Sequence, residues 1–561
     1  MKKTLFLLHF IAAFLLFSTT SYCQLNWAWA KDGGSNGNGN MALDITADAQ
    51  GNSYVTGYVS PGCVVNGQTV PVVDSYDVFV AKYDVNGNQV WIRTAGGIYG
   101  DVGKRIKVDN NGNLYLCGIF TDTATFDNIQ VTENKLGFFI AKMDTAGNFI
   151  WVKPGILGIW PYHQQLFGLD LDAAGNIYYA GPARCQSTVI GNITTFGNTI
   201  PGSHAPMVIK FDPNGNILWH YVKPNNWQGA GIGTGANIKV DRQGNVVLVN
   251  SCSRTDTSTS NWVTMNNLLI LKFNPTGQFL WKREYDSVTV DWSGIPNSLD
   301  FDDDNNMYIG GTAYRTFWFD SNLPSCNPSG FLAKFTPNGS LVWARKMENV
   351  ISNQTTAIRS IRHFQYSDSM YCAGYYLGSV DFDGIPLSSS NNNIKMFVVS
   401  YDTTGSVKWL LTYGNNFYNN QNFWAATFSG KAYLVAGFYT SSIAFGPVSL
   451  ATSGTSYMEH NFFLASTHNM QALETPDILS SSGMNFSLYP NPASTSVTVQ
   501  IDDKNKTYDL SVYSNTGQSV FSQSNVKSST TINTSTMASG NYFIQVNRNG
   551  QTLTKRFVVN H

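Results

Sequence analysis

Asp84, Asp109, Asp144, Asp172, Asp212, Asp241 and Asp402 each open an Asp-x-x-Gly step between two apolar runs. Carboxylates can do acid/base work on a glycosidic bond, but only where two of them meet across the substrate. At this spacing each has a local task instead. The side chain accepts from backbone N–H groups two residues on, and the glycine supplies the positive φ that closes a hairpin. We therefore read them as turn formers. Asp302, Asp304 and Asn306 imitate the start of a calcium loop, yet Ala313 stands where a bidentate Glu is required and no glycine sits sixth, so this too reads as a hairpin. There is no Gly-x-Ser-x-Gly elbow, no His-Glu-x-x-His and no phosphate-cradling loop. Gly231 to Ala236 fits Gly-x-Gly-x-x-Ala but precedes a strand pattern where a dinucleotide site needs a helix.

Aromatic residues divide into two sets. Trp29, Trp91, Trp151, Trp219, Trp281, Trp343 and Trp409 recur at one position of a repeat, as packing residues between sheets do. Trp160, Tyr162, Trp227, Trp292 and Phe423 fall outside the repeat, among Asn, Gln and Gly, with His163 and Gln228 beside them. Aromatic faces next to amide groups suit a neutral polar ligand such as a sugar, which offers C–H faces to stack and hydroxyls to hydrogen-bond. These seven are the candidate ligand-binding residues. No catalytic residue, metal site or cofactor is assigned.

Position follows from the repeats that carry them. FVAKYDVNGNQVW, from Phe79 to Trp91, returns as FIAKMDTAGNFIW, MVIKFDPNGNILW, LILKFNPTGQFLW, FLAKFTPNGSLVW and FVVSYDTTGSVKW, with tryptophans 60, 68, 62, 62 and 66 residues apart. A second unit, RIKVDNNGNLYLCGIF from Arg105 and its kin, precedes each copy. One repeat is then four antiparallel strands: two tight hairpins joined by longer, variable connections. Seven first hairpins face six complete second hairpins, since NFFLAS at Asn461 to Ser466 has no partner downstream. LNWAWAKDGG at Leu25 to Gly34 has the missing tryptophan-ended form, so Trp27 to Ala30 is expected to pair near Phe462 to Ala465. An array whose last unit is completed by its first strand closes on itself without open edges. The expected fold is all-β: a seven-bladed β-propeller over residues 24–467, closed by an N-terminal strand.

From Thr94, TAGGIYGDVGKRIKVDNNGNLYLCGIF resembles the bacterial propeller repeat called SBBP, with Gly-Gly and Asp before the first strand, Asp-x-x-Gly-Asn-x-Tyr across one hairpin and Phe-x-x-Lys-x-Asp-x-x-Gly-x-x-x-Trp across the other. The sixth and seventh units depart from it, with Asp368 in a glycine slot and Thr427 in an aspartate slot.

Beyond a polar, Ser-rich linker over 468–484, residues 485–561 alternate as a small β-sandwich. Tyr489, Pro490, Asn491 and Pro492, the turn at Asn515 to Gly517, Gly540 to Tyr542, and Lys555 and Arg556 before Phe557 make this block similar to the type A C-terminal sorting domain of the type IX secretion system of Bacteroidetes. The resemblance implies export across the outer membrane through that machinery, to the cell surface or the medium.

Other features agree. Lys2 and Lys3 before the apolar run Leu5 to Phe17 read as a signal peptide over 1–23, too short to span a bilayer, and no other apolar run is long enough. Net charge is −1 with scattered basic residues, which argues against nucleic acid as a partner. Cys63, Cys117, Cys185, Cys252, Cys326 and Cys372 show no CxxC and read as buried small hydrophobes; the alternative is that some pair in an oxidising compartment, where six cysteines allow fifteen connectivities and the sequence does not choose. The function expected is a non-catalytic binding or adhesion module for an extracellular glycan or protein, with a polysaccharide-degrading enzyme and a structural surface component as the alternatives.

Overall fold

The computed structural model describes the chain from Trp27 to Val559, apart from residues 35–38, 159–166, 185–187, 191–192, 196–203, 224–235, 257–262, 286–294, 314–328, 350–354, 364–368, 390–393, 414–421, 430–431, 440–441, 446–447, 452–459, 468–485, 490–492, 502–505, 515–518, 539 and 549–550. Within it every named element is a β-strand and every paired sheet is antiparallel. Aromatic and β-branched residues alternating between short turns leave no helical period to compete.

Four-stranded units follow one another along the chain, here numbered I to VII. Sheet I comprises Met41–Ala47, Ser53–Val59, Asp77–Tyr83 and Gln89–Ala95 in that order. The first strands of the next five are Val102–Val108, Gly168–Leu171, Ala236–Val240, Ile295–Phe301 and Thr356–His363. Sheet VII starts with Asn422–Ser429, continues through Ala432–Tyr439 and Asn461–Thr467, and takes its fourth strand, Trp27–Gly33, from the other end of the chain. The register runs Trp29↔Ser466, Ala30↔Ala465 and Gly33↔Phe462, which is the pairing the hairpin count predicts.

The first strands touch in sequence, each against the next, and Asn422–Ser429 touches Met41–Ala47 to complete the cycle. Residues from all seven surround one small cavity. Between sheets the core is aromatic and aliphatic. Phe138 of II stacks on Tyr179 of III at 5.0 Å and 8°, and Phe79 of I stacks on Phe462 of VII at 4.8 Å. Second and third strands are buried on both faces, as in Ser53–Val59 and Asp77–Tyr83, whereas the fourth strand Gln89–Ala95 is half-exposed.

The variable connections between second and third strands were expected to be loops, and in five sheets they contain hairpins of their own: Val64–Val65 with Gln68–Thr69, the extensions meeting at Phe126 and Ile129, Thr188–Ile190 with Ile193–Thr195, Ser379–Phe382 with Ile385–Ser388, and Ser442–Phe445 with Val448–Ala451. Asn66-Gly67 and Asp383-Gly384 turn with positive φ at both residues, the geometry whose twist matches paired strands. Several of these hairpins reach back to the preceding sheet's fourth strand. Met347↔Phe382 and Gly155↔Ile190 pair in register, and bridges join Gly34 to Val64 and Gly96 to Thr125. Each thereby covers an edge that would otherwise offer unpaired backbone groups.

The C-terminal block has a three-stranded and a four-stranded sheet. Val497, Val499 and Ile532 of one pack with Leu510, Val512, Ile544 and Phe557 of the other, a two-sheet sandwich around one core.

Candidate functional site

The repeated aspartates are committed to their own turns. Asp48 accepts from the backbone N–H groups of Gln50 and Asn52 at 3.0 and 2.9 Å, and from the Asn52 amide and Tyr54 hydroxyl at 2.8 and 2.9 Å. Burial pushes this carboxyl up, but those hydrogen bonds outweigh it and hold it below its usual range. The same pattern recurs at Asp109 and Asp172, each bonded to an Asn four residues on and a Tyr six residues on. Asp302 does likewise with Asn306 and Tyr308, and Asn305 takes the positive φ of 60° where other turns use glycine. Its remaining contact is Lys334 at 3.3 Å, so both oxygens serve the hairpin and its neighbouring strand rather than a calcium loop.

The rest of the repeat motif joins one sheet to the next. Indole N–H groups of Trp29, Trp91, Trp219 and Trp343 donate across the joint to the carbonyls of Val85, Thr145, Pro275 and Thr403, at 3.1, 3.3, 3.1 and 3.0 Å. Each accepting residue lies in the second hairpin of the following sheet, whose glycine approaches the indole closely. A Cβ on Gly87 would meet Trp29 at 2.5 Å, and one on Gly277 would meet Trp219 at 2.6 Å. Third-strand lysines reinforce the joint. Lys210 lies 4.8 Å over the Tyr178 ring, 3.4 Å from Asp172, and donates to the Pro275 carbonyl at 3.2 Å; Lys272 pairs with Asp241 at 2.9 Å and donates to the Pro337 carbonyl. Trp409 is the exception. The hairpin that it would meet does not exist in sheet VII, whose fourth strand comes from the N-terminal end, and its indole N–H is buried without a hydrogen-bond partner.

At the centre the seven first strands enclose a cavity of about 50 Å³, lined by Asp44, Arg105, Lys107, Lys239, Arg359 and Arg362 among others. The residue paired with the tyrosine-position partner in each second strand is, in order, Thr46, Lys107, Asp170, Lys239, Asp300, Arg362 and Phe428. Charges alternate over five consecutive strands and stop at the two neutral ones. The carboxylates also stitch strand to strand: Asp44 accepts from the Ile106 N–H, Asp170 from Val240 and Asp300 from His363, each at 2.9 Å. Lys239 lies between two of them, 3.9 Å from Asp170 and 3.4 Å from Asp300. Burial pulls the Lys239 ammonium down, but these carboxylates more than offset it. For Lys107 burial wins and its ammonium is held below the usual range: the carboxylates of Asp44 and Asp170 oppose the depression, and the like charges of Arg362 and Lys239 add to it.

A second polar cluster is buried between sheets I and II. Asp101 accepts from the Gly97 and Thr121 N–H groups at 2.7 and 3.0 Å, and Asp77 accepts from Val73 at 2.9 Å. Both carboxylates crowd Gly96. Burial, with Asp77 adding like charge, pushes Asp101 up to about 7.

Of the candidate ligand-binding residues, Trp160, Tyr162, His163, Trp227, Gln228 and Trp292 lie outside the described residues. Phe423 lies on the first strand of sheet VII, paired with Gly437. The connections that carry the others leave fourth strands at Gly158, Val222 and Tyr285 and return at first strands that border the cavity. The channel charges were missed in the sequence, although the alternation RIKV, LDL, IKV, LDF, IRH is visible there once the first strands are aligned. Cys63, Cys117 and Cys372 are free and fully buried, and burial pushes the first two thiols up to about 12, which leaves them unreactive. Among sorting residues, Tyr489 ends a strand half-exposed, Gly540 opens one, and Lys555 and Arg556 lie on the last, opposite Ile544 and Phe543. Pro490, Asn491 and Pro492 lie outside the described residues.

Residues 487–560 match the secretion system C-terminal sorting domain family. The chain carries a type IX sorting domain and is delivered by that machinery to the cell surface or beyond it. Over 485 residues, 69% of this chain and 34% of the relative, it is 23% identical to the uncharacterized WD repeat-containing protein L264 of Acanthamoeba polyphaga mimivirus, so it spans about a third of that relative's length. Among solved structures, it is similar to a protein of unknown function from Dyadobacter fermentans, at 11% identity and TM-score 0.34 over 64% of this chain and 93% of that one. It is also similar to PorZ, a surface component of the type IX secretion system of Porphyromonas gingivalis, at 11% identity and TM-score 0.22 over 92% and 74%. Among the described residues no helix is long and apolar enough to cross a membrane.

Proposed function

We propose that residues 24–467 form a seven-bladed β-propeller of the SBBP-like kind, and that it works outside the cell as a non-catalytic binding module for a glycan or protein ligand. The cycle of contacts among first strands, with the fourth strand of sheet VII supplied from the N-terminal end, supports the propeller. Binding without catalysis is favoured by one observation above others. The repeated Asp, Lys and Trp residues are spent on turns and joints, which leaves the non-repeated connections to carry function.

The ligand site in this reading is made by residues of those connections, with Trp160, Tyr162, Trp227 and Trp292 as stacking surfaces, His163 and Gln228 as hydrogen-bonding neighbours, and Phe423 of the first strand of sheet VII added to them. A glycan array on the full chain, followed by a reducing-sugar release assay, tests it. Binding without release is expected, and Trp227→Ala or Trp292→Ala should weaken binding by about 1–3 kcal/mol with little change in stability. Release of reducing sugar would replace the reading with a polysaccharide-degrading one. Absence of any ligand, with stability lost in both variants, would leave a structural role.

A further inference from the structure

We propose that the central cavity holds an oxyanion between Lys107 and Arg362, in the gap where the alternating ring of charges is interrupted. This inference rests on the described first strands and is independent of the glycan reading.

The first observation is an imbalance. Among the described residues in and around the cavity, five cations (Arg105, Lys107, Lys239, Arg359, Arg362) face three carboxylates (Asp44, Asp170, Asp300), in a chain whose net charge is −1; Arg359 also donates to Asn297 and to the Tyr375 hydroxyl. The carboxylates are already engaged, since each accepts a backbone N–H of the adjoining strand and two of them share Lys239. Arg105, Lys107 and Arg362 have no carboxylate within ion-pair distance among the described residues. The guanidinium groups of Arg105 and Arg362 donate to the carbonyls next to them, Lys104 and Ile361, at 2.9 and 2.7 Å, which leaves further N–H groups of each fork to serve a ligand.

Position makes the imbalance specific. Going round the ring, Lys107 and Arg362 stand on either side of the two strands that contribute Phe428 and Thr46 at this level. Those two strands offer no carboxylate at this level; Asp44, two residues before Thr46, also lines the cavity but is bonded to the Ile106 N–H, and Arg362 raises the cost of charging Lys107. Placing like charges around a cavity is unfavourable unless an anion occupies it. A volume of about 50 Å³ is enough for one small oxyanion group. Ligands with the right chemistry are therefore free sulfate or phosphate, or the sulfate ester or carboxylate of an acidic saccharide.

Titration calorimetry of the full chain with sodium sulfate and with sodium phosphate, against chloride at matched ionic strength, tests the site. One saturable anion per chain is expected, weakened roughly ten- to a hundred-fold by Lys107→Met or Arg362→Met, the effect of one charged hydrogen bond. No saturable binding at millimolar anion, or unchanged affinity in both variants, overturns the proposal. If either variant fails to fold, crystals of the unaltered chain soaked in selenate decide: an anomalous peak beside Lys107 upholds the site and its absence refutes it. Sulfated and uronate oligosaccharides that compete with sulfate identify the anionic group of a glycan as the source, and failure to compete identifies the free ion. In the latter case the oxyanion site stands as a site for the free ion.

Discussion

A glycine and an indole meet at every joint between sheets except the one at Trp409. At Gly277 the backbone has φ +87°, which costs any L side chain, and an added Cβ would also meet the Trp219 ring at 2.6 Å. Gly67 has φ +76° but open space around its missing Cβ. Gly67→Ala should therefore cost only the backbone term, about 1 kcal/mol, and Gly277→Ala should cost roughly 1–3 kcal/mol more. Urea unfolding of both variants checks this, and equal losses would mean that the indole is not a tight joint. The carboxylate pair at Gly96 makes stability depend on pH. Asp101, raised from an ordinary value of 3.8 to about 7 by burial and by Asp77, favours its protonated form in the fold. Its contribution is complete below about pH 4 and is lost as pH rises through about 7. Asp77→Asn removes the like charge, so the variant should melt higher than the parent at pH 8 and near it at pH 4. A melting difference that is the same at both pH values would rule the pair out as the cause.

Among the elements, the strand Trp27–Gly33 has the largest structural duty for its length. It fills the fourth place in sheet VII, buries Trp27 at 3% exposure against Tyr413 and Phe445, and sets Trp29 against Gly87 of sheet I. Deleting residues 24–31 removes both the ladder and the joint between sheets VII and I. A fall of many degrees in melting temperature is expected, and an unchanged value would show that closure through this strand is dispensable. This strand was legible in the sequence because tryptophan spacing and an unmatched NFFLAS are local signals, as were the Asp-x-x-Gly turns. The hairpins between second and third strands were less so. Asn66-Gly67 and Asp383-Gly384 are turn dipeptides of the right kind, but their strands are short and weakly alternating, and what fixes them is the edge of the preceding sheet, which only tertiary pairing supplies. The channel ring was hidden for a related reason. A Lys or Asp two residues before a turn looks like surface polarity in one repeat, and its meaning comes from the neighbours that the closed cycle brings beside it.

For the whole molecule, two architectures share one chain with different duties. The sheets through Thr467 spend their repeated polar residues on joining to one another, while the sandwich after Phe486 has its own core of Val497, Leu510, Ile544 and Phe557 and makes no use of those joints. Separate cores allow one part to be removed without exposing the apolar face of the other. The sorting domain occupies residues 487–560. A chain truncated before residue 485 should therefore keep the melting behaviour of the sheets through Thr467 yet remain in the periplasm, while the intact chain reaches the surface or the medium. Cell fractionation with protease shaving of intact cells measures this. Surface delivery of the truncated chain would show that the export signal lies elsewhere, and a truncated chain that unfolds would show that the sandwich is a structural part of the fold as well as an address.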